Sequence, residues 1–315
     1  MSEDKPWPDN IRAGDCEQHE PLVRRVLAPN PSPYTFTGTQ TWIVGAGRDV
    51  AVIDPGPTGS GMSIGDPADI NGAGHVPADA NGIGHVEAIL RAVGGQRVAA
   101  ILCTHTHRDH SPAAAPLKAA TGAPIVGCAP LALRDDGPRA DSAFDPDYAP
   151  DRVLADGKQI AGDGWTIEAV ATPGHTSNHL CFALLESAAL FTGDHVMAWS
   201  TSVVSPPDGD MAAYMASLAK LYARDDRVYY PAHGPAVTKP RQLVRGMMGH
   251  RKQRERQILR ELEKGASVIP DMVKQMYKGL DPRLTGAAGR SVLAHLLDLQ
   301  TRGAVRVHGD EWTLA

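Results

Sequence analysis

The chain lacks several features whose absence narrows its class. No run of about 18 or more consecutive apolar residues occurs, so no segment reads as a transmembrane helix. The start, Met1 to Asn10, is polar, charged and proline-containing, unlike a secretory leader, and a cytoplasmic protein with no membrane contact is expected. Cys16, Cys103, Cys128 and Cys181 are widely spaced with no Cys-x-x-Cys pair, which indicates neither a disulfide framework nor a zinc ribbon. Positive charge is scarce over most of the length. The net charge is −5, but residues 241–315 hold 14 Lys+Arg against 8 Asp+Glu, a net +6, leaving residues 1–240 with 17 against 28, a net −11. An acidic body argues against binding a phosphate backbone there, while the basic tail leaves it open.

What is present is an ordinary globular composition, 42% hydrophobic and 21% charged over 315 residues, long enough for one large domain and a small one. The chemistry is densest in Thr104-His105-Thr106-His107-Arg108-Asp109-His110. Neutral imidazole and carboxylate are ligand types suited to zinc and similar divalent ions. Upstream, Val98 to Cys103 is an apolar run that reads as a buried strand. Downstream, Ser111-Pro112 reads as an N-cap with proline at the first helical position, opening an alanine-rich helix from Ala113 to Ala120. The motif therefore falls on a strand-to-helix loop, where open α/β sheets place ligands. Strand-like alternation points His105 and His107 one way, with Asp109 and His110 reaching a neighbouring point, an arrangement that suits two adjacent metals.

Strands are expected at Leu22–Leu27, Thr35–Val44 and Asp49–Ile53, the last ending in Asp54-Pro55-Gly56. A glycine-rich insertion over 57–85 contains a ten-residue tandem duplication beginning at Ala68 and Ala78. It reads as a duplicated surface loop, or alternatively as a flap over the site with His75 as a contact. A helix follows at His85–Val93, closed by Gly94-Gly95, and after the motif come a short strand at Pro124–Val126 and an Asp- and Pro-rich loop at Asp135–Asp151. A second series of strands lies at Gln159-Ile160, Trp165–Val170, Leu180–Leu185, Ala188–Phe191 and Val228–Pro231, with helices at Met211–Ala223 and Leu243–Leu262. Two β-rich halves flanked by helices imply an α/β class, four-layer αββα sandwich rather than a doubly wound sheet. Helices at Val268–Tyr277 and Thr285–Gln300, then strands at Ala304–Val307 and Trp312–Leu314 about Gly309-Asp310, form the pattern of a winged helix. The expected division is 1–240 for the sandwich and 241–315 for a linker helix plus winged-helix domain.

Three further loops carry ligand-type residues beside a glycine: His175 in Pro173-Gly174-His175, Asp194 in Gly193-Asp194-His195, and His233 in His233-Gly234-Pro235. With the first motif they make His-x-His-x-Asp-His, then His, Asp and His in order. This pattern, over roughly Leu22 to Val237, resembles the metallo-β-lactamase superfamily. The resemblance implies that His105, His107 and His175 hold one metal, that Asp109, His110 and His233 hold a second, and that Asp194 bridges both. True β-lactamases of the superfamily generally lack the bridging aspartate, so the chain looks more like the glyoxalase II, lactonase and nuclease branches. A nearer resemblance, through Thr172 to Thr176, Tyr214 to Leu218, Tyr230 to Pro235 and the basic helix around Arg251, is to the β-lactamase-like protein 2 group, from which the duplicated insertion departs.

The expected cofactor is a pair of divalent ions, Zn2+ by ligand type, delivering a bridging hydroxide to an electrophilic carbonyl or phosphorus with no side-chain nucleophile. Asp109 is the expected catalytic residue, orienting that hydroxide. Asp54 is expected to accept a hydrogen bond from a ligand imidazole, and Asn178 and His179 to contact substrate or support a ligand. His195 is expected to pack. Three functions compete: a hydrolase of a small-molecule thioester, lactone or related acyl substrate; an endoribonuclease on single-stranded RNA, using the basic tail; and a DNA-binding module built on the winged helix. Such a tail also serves as a homodimer contact or as a cleft wall.

Overall fold

The computed structural model describes residues 12–58, 84–131 and 144–315. The first duplicated copy with His75, most of the second, and residues 132–143, which include the first part of the Asp- and Pro-rich loop, lie outside the described residues.

A seven-stranded sheet is formed in chain order by β1 (Cys16–Glu20), β2 (Val23–Leu27), β3 (Gln40–Val44), β4 (Asp49–Ile53), β5 (Arg97–Cys103), β6 (Ile125–Gly127) and β7 (Arg152–Val153). It is antiparallel up to β4 and parallel from there. The change coincides with α1 (His85–Val93) and α2 (Ala114–Thr121), because a parallel neighbour requires a crossover. A second sheet runs β12 (Val228–Pro231), β11 (Ala189–Gly193), β10 (Leu180–Leu184), β9 (Trp165–Ala171), β8 (Gln159–Gly162), with only β11 and β12 parallel. Helices α3 (Met211–Ala223) and α4 (Pro240–Leu262) pack on each other and on its outer face.

Side-chain alternation sorts the layers. In β10, Leu180, Phe182 and Leu184 join the core shared by the two sheets, whereas Cys181 and Ala183 join the core under α3 and α4. β11 and β12 divide likewise, with Phe191 and Tyr230 between the sheets and Leu190 and Tyr229 outward. Period-2 sorting of strands that are apolar on both faces is what a middle layer needs, and the result is a four-layer αββα sandwich.

The sheets are joined beside the site. Gln40 accepts from Arg25 at 2.7 Å and donates through Nε2 to the carbonyls of Pro231 and Gly234 at 3.1 and 2.6 Å. Its own N–H reaches the Ala232 carbonyl at 2.8 Å. β3 is thereby held against the end of β12, on which His233 follows.

The tail comprises α5 (Ile269–Met276), α6 (Thr285–Thr301) and a hairpin of β13 (Val305–His308) and β14 (Glu311–Leu314) about Gly309-Asp310. α4 serves both parts: Val244 and Met247 pack under the second sheet, while Ile258 and Leu262 enter the tail's own core with Val292, Leu296 and Trp312.

Local expectations fail at three places, each for a visible reason. β1 carries no apolar signal because it is an edge strand with exposed side chains. The strand expected from Thr35 begins at Gln40, since Asn30 binds both the N–H and the hydroxyl of Thr39 and Ser32 binds Thr35, closing a turn instead. Ser111 does not cap a helix: its hydroxyl donates to Asp145 at 2.8 Å, and α2 starts at Ala114 without a side-chain cap.

Candidate metal centre

The seven ligand-type residues converge at one end of both sheets. His105, His107, Asp109 and His110 lie on the loop from β5 to α2, His175 on the loop from β9 to β10, and Asp194 and His233 immediately after β11 and β12. They fall into two groups, His105, His107, His175 and Asp194 in one and Asp109, His110 and His233 in the other, with ligand atoms in each group all within 4.8 Å of one another. Asp194 faces both. Its Oδ2 lies 3.6 Å from His175 Nε2, and its Oδ1 lies 3.5 Å from His110 Nε2 and 3.3 Å from His233 Nε2. Asp109 Oδ2 is 3.4 Å from His110 Nε2 and 3.2 Å from His233 Nε2, and accepts from the Thr39 hydroxyl at 3.4 Å.

The outward ring nitrogens fix which atom of each imidazole faces the centre. His175 Nδ1 donates to the Val203 carbonyl at 2.6 Å and His233 Nδ1 to the Gly38 carbonyl at 3.3 Å, because a carbonyl only accepts. Asp54 accepts from the Thr104 N–H at 2.8 Å, from the Thr104 hydroxyl at 2.9 Å and from His110 Nδ1 at 3.0 Å. With its proton committed to Asp54, the Thr104 hydroxyl accepts from His105 Nδ1 at 3.0 Å. In the neutral ring, each Nε2 of His105, His110, His175 and His233 is therefore left as a lone pair pointing inward. His107 Nδ1 lies 2.9 Å from His105 Nε2 and 3.1 Å from His175 Nε2, so one proton at most could satisfy a single contact. Among the described residues, buried His110 Nε2 and Asp194 Oδ1 have no hydrogen-bond partner.

Converging lone pairs repel unless a cation lies among them. Outer N–H groups tied to carbonyl or carboxylate are the usual support of metal-ligating histidines, and the separations approach the edge of about 3.3 Å of a tetrahedral zinc site with bonds near 2.05 Å. The donor set fits two divalent ions.

Electrostatics follow from the same neighbours. Burial opposes a charge on His110 and His233, yet the carboxylates of Asp109 and Asp194, with Asp54 for His110, outweigh it and raise both imidazoles, His110 well above its usual range. Burial also opposes ionised Asp109 and Asp194, but the same histidines hold both carboxyls below their usual range. His105 and His107 are held low by burial and then by neighbouring imidazoles, His107 at about 3. They stay neutral, as ligands must.

The local backbone is specialised. Asp54 has φ 48, a left-handed conformation unusual outside glycine, which turns its carboxylate back onto Thr104 and His110. At Gly174, φ is +135 and a Cβ would stand 2.3 Å from the Tyr214 Cα, so only glycine lets the His175 loop pass over α3.

The accompanying polar residues take distinct places. His179 is 1% exposed; its Nε2 accepts the Asp194 N–H at 3.3 Å and its Nδ1 donates to Thr172 at 2.9 Å, so it supports Asp194 from behind. Asn178 ties loops together, donating to Thr106 and the Ala129 carbonyl and accepting from Thr176. His195 packs 4.7 Å from the Tyr214 ring, with both nitrogens unpartnered among the described residues. Thr104 and Thr39 escaped the sequence reading, since a hydroxyl beside a histidine motif carries no pattern of its own.

This chain belongs to the metallo-beta-lactamase superfamily, whose family model matches residues 34–233. A beta-lactamase associated winged helix domain is matched at residues 269–312. Among curated relatives, an atrochrysone carboxyl ACP thioesterase of Cryptosporiopsis sp. (strain 8999) is 31% identical, over 84% of this chain and 70% of that protein. A lactamase-like protein of Pestalotiopsis fici is 29% identical, over 86% of this chain and 77% of its own. Among solved structures, a beta-lactamase domain protein from Burkholderia ambifaria superposes with a TM-score of 0.75 at 21% identity, over 98% of this chain and 96% of that one, a likeness of fold. No helix among the described residues is long and apolar enough to cross a membrane.

Proposed function

We propose that the chain is a metal-dependent hydrolase of acyl thioesters. The convergence of lone pairs on both sides of Asp194 supports the metal part, and the relatives named as acyl carrier protein thioesterases support the substrate part. His105, His107 and His175 would hold one divalent ion, Asp109, His110 and His233 a second, and Asp194 both, with zinc the best match to this nitrogen and oxygen set. When bound, such ions supply Lewis acidity for a carbonyl oxygen and a water of near-neutral pKa.

The chain's own residues do the rest. Asp109, kept ionised by His110 and His233, receives at its Oδ1 the proton of the attacking water. Attack forms the new carbon–oxygen bond, the carbon–sulfur bond breaks, and that proton passes to the departing thiolate, giving acid and thiol. Asp54, through Thr104 and His110, and His179, through the Asp194 N–H, keep the histidines and carboxylates aimed. The three buried cysteines do not compete as nucleophiles: Cys103, Cys128 and Cys181 are shut off from water, and burial pushes the last two thiols up to about 12.

The test is metal analysis of purified protein alongside a parallel screen of thioesters, lactones, β-lactams and single-stranded RNA. Chelator-sensitive thioester cleavage, lost in Asp109→Ala with the circular dichroism spectrum retained, is expected. Turnover confined to RNA, or wild-type turnover in Asp109→Ala, would overturn the proposal.

A further inference from the structure

Residues 197–203 separate the candidate metal centre from a second polar centre. On one side, the Val203 carbonyl holds His175, and the Trp199 indole lies so close to Gly234, next to His233, that a Cβ there would meet Trp199 Cδ1 at 2.6 Å. On the other side, Trp199, Ser202 and Val203 wall a cavity of about 300 Å³. Its opposite wall belongs to α4 and the winged-helix tail, including Arg251, Arg254, Tyr277 and Ser291. That volume lies at the small end of ligand pockets, roughly 300 to 1,000 Å³.

The charge of this cavity is one-sided. Among the described residues, no Asp or Glu lines it. Arg251 is 3% exposed, and its contacts among the described residues are with neutral groups: the Ser291 hydroxyl at 3.2 Å, the Ser202 carbonyl, and the face of the Tyr214 ring at 5.1 Å. Arg254 stacks 4.3 Å over Tyr277 and donates to Gln257 and the Met276 carbonyl. Among the described residues, neither guanidinium has a carboxylate at ion-pair distance, and Nε of each is buried without a hydrogen bond, as is Nε1 of Trp199. A buried cation without a counter-charge is costly. Two guanidiniums without a counter-charge, lining one cavity in which the described residues place no acidic side chain, describe a site whose negative charge arrives with a ligand.

We infer that this cavity is an anion subsite of the substrate cleft, in which Arg251 and Arg254 bind a carboxylate or phosphate carried by the molecule whose reacting carbonyl lies at the His and Asp cluster. Trp199 and Tyr277 cover its apolar or aromatic body, and the winged-helix tail acts as the cleft's far wall. The inference rests on the acyl-hydrolase reading for the reacting carbonyl alone. The anion has two sources, a carboxylate on the acyl group or the phosphate of the thiol arm.

Calorimetric titration of the full chain with hydrolysis-inert twins separates them: the 4-carboxybenzoyl and benzoyl amides of cysteamine, and 4′-phosphopantetheine against pantetheine. At least one anionic twin is expected to bind about tenfold or more tightly than its neutral partner, as a charge-assisted contact requires, and the responding pair names the source. Arg254→Gln should erase that difference. Ser291→Asp, which adds a carboxylate beside Arg251, should erase it through a different residue, with circular dichroism confirming the fold of both. Equal binding of both pairs by the wild type, or a difference that survives both substitutions, overturns the inference. Loss of thioester turnover with the charge preference intact would remove the hydrolase reading and leave the subsite standing; turnover without any charge preference would do the reverse.

Discussion

Two buried centres that contain histidine lie on either side of residues 197–203, and they have opposite sign. In the first, carboxylates face imidazoles, so His110 and His233 hold protons more tightly than usual even though burial opposes it. In the second, His250 and His295 sit among guanidiniums and are pushed down to about 4 and about 3, by burial first and by Arg251 next. The same side chain is raised where carboxylates face it and lowered where burial is joined by guanidiniums. A centre rich in lone pairs suits cations, and one rich in guanidinium suits an anion.

The comparison breaks most severely at Asp194, the residue whose two oxygens face both groups of ligand-type side chains. Asp194→Ala is expected to lower turnover by more than the roughly 100-fold that outer partners of a metal site cost. It should also reduce metal content in both groups, whereas Asp109→Ala, which touches the second group alone, should lose no more than one equivalent per chain. Emission spectroscopy on dialysed protein reads both outcomes. Full metal content in Asp194→Ala would show that the two groups do not depend on their shared carboxylate.

A smaller effect is expected at Asp54, where one carboxylate accepts from the Thr104 N–H, the Thr104 hydroxyl and His110 Nδ1. In Asp54→Asn the amide nitrogen takes the place of an oxygen and faces donors. Metal affinity, measured by competition with a chromogenic chelator, should fall about 10- to 100-fold, while the folded state loses about 1 to 3 kcal/mol for the unpaired donors. An unchanged affinity would mean that the tautomers of His105 and His110 are set some other way.

The two centres also differ in how far the sequence discloses them. The first is legible because four of its ligands share one loop and the other three each follow a strand beside a glycine, so residue type and position agree. The sandwich is legible for a related reason: strands such as Leu180–Leu184 are apolar on both faces, as a middle layer must be. The second centre is not legible. Arg251 and Arg254 read as part of a charged run on a surface helix, and nothing in that run says that Arg251 is buried against Tyr214 and Ser291. Trp199 comes from a loop more than 50 residues away in sequence. Burial of a guanidinium is a tertiary fact, produced when α4 is trapped between the second sheet and the tail. Edge strand β1 is hidden for the opposite reason, since its pairing is made by backbone and leaves no apolar trace.

The smallest expected effect sharpens the sign difference itself. His295 is 2% exposed with both ring nitrogens unpartnered, and its folded-state pKa is pushed down to about 3 from an ordinary value of 6.5. A depressed histidine pKa means that the unfolded chain binds a proton first as pH falls. The neutral ring therefore costs the fold nothing above about pH 6.5, and stability is lost steadily between about 6.5 and 3. Between pH 7 and pH 5 the loss is on the order of 2 kcal/mol. Replacing the ring by an apolar one in His295→Phe removes this titration, so the variant's melting temperature should fall less on acidification than the wild type's, with a residual slope from His250. Histidines of the first centre act the other way in metal-free protein, because a raised pKa favours the fold at low pH and loses that contribution as pH rises through it. Parallel pH dependence in wild type and His295→Phe would mean that His295 is not held neutral by its surroundings, and the charge assigned to the second centre would have to be withdrawn with it.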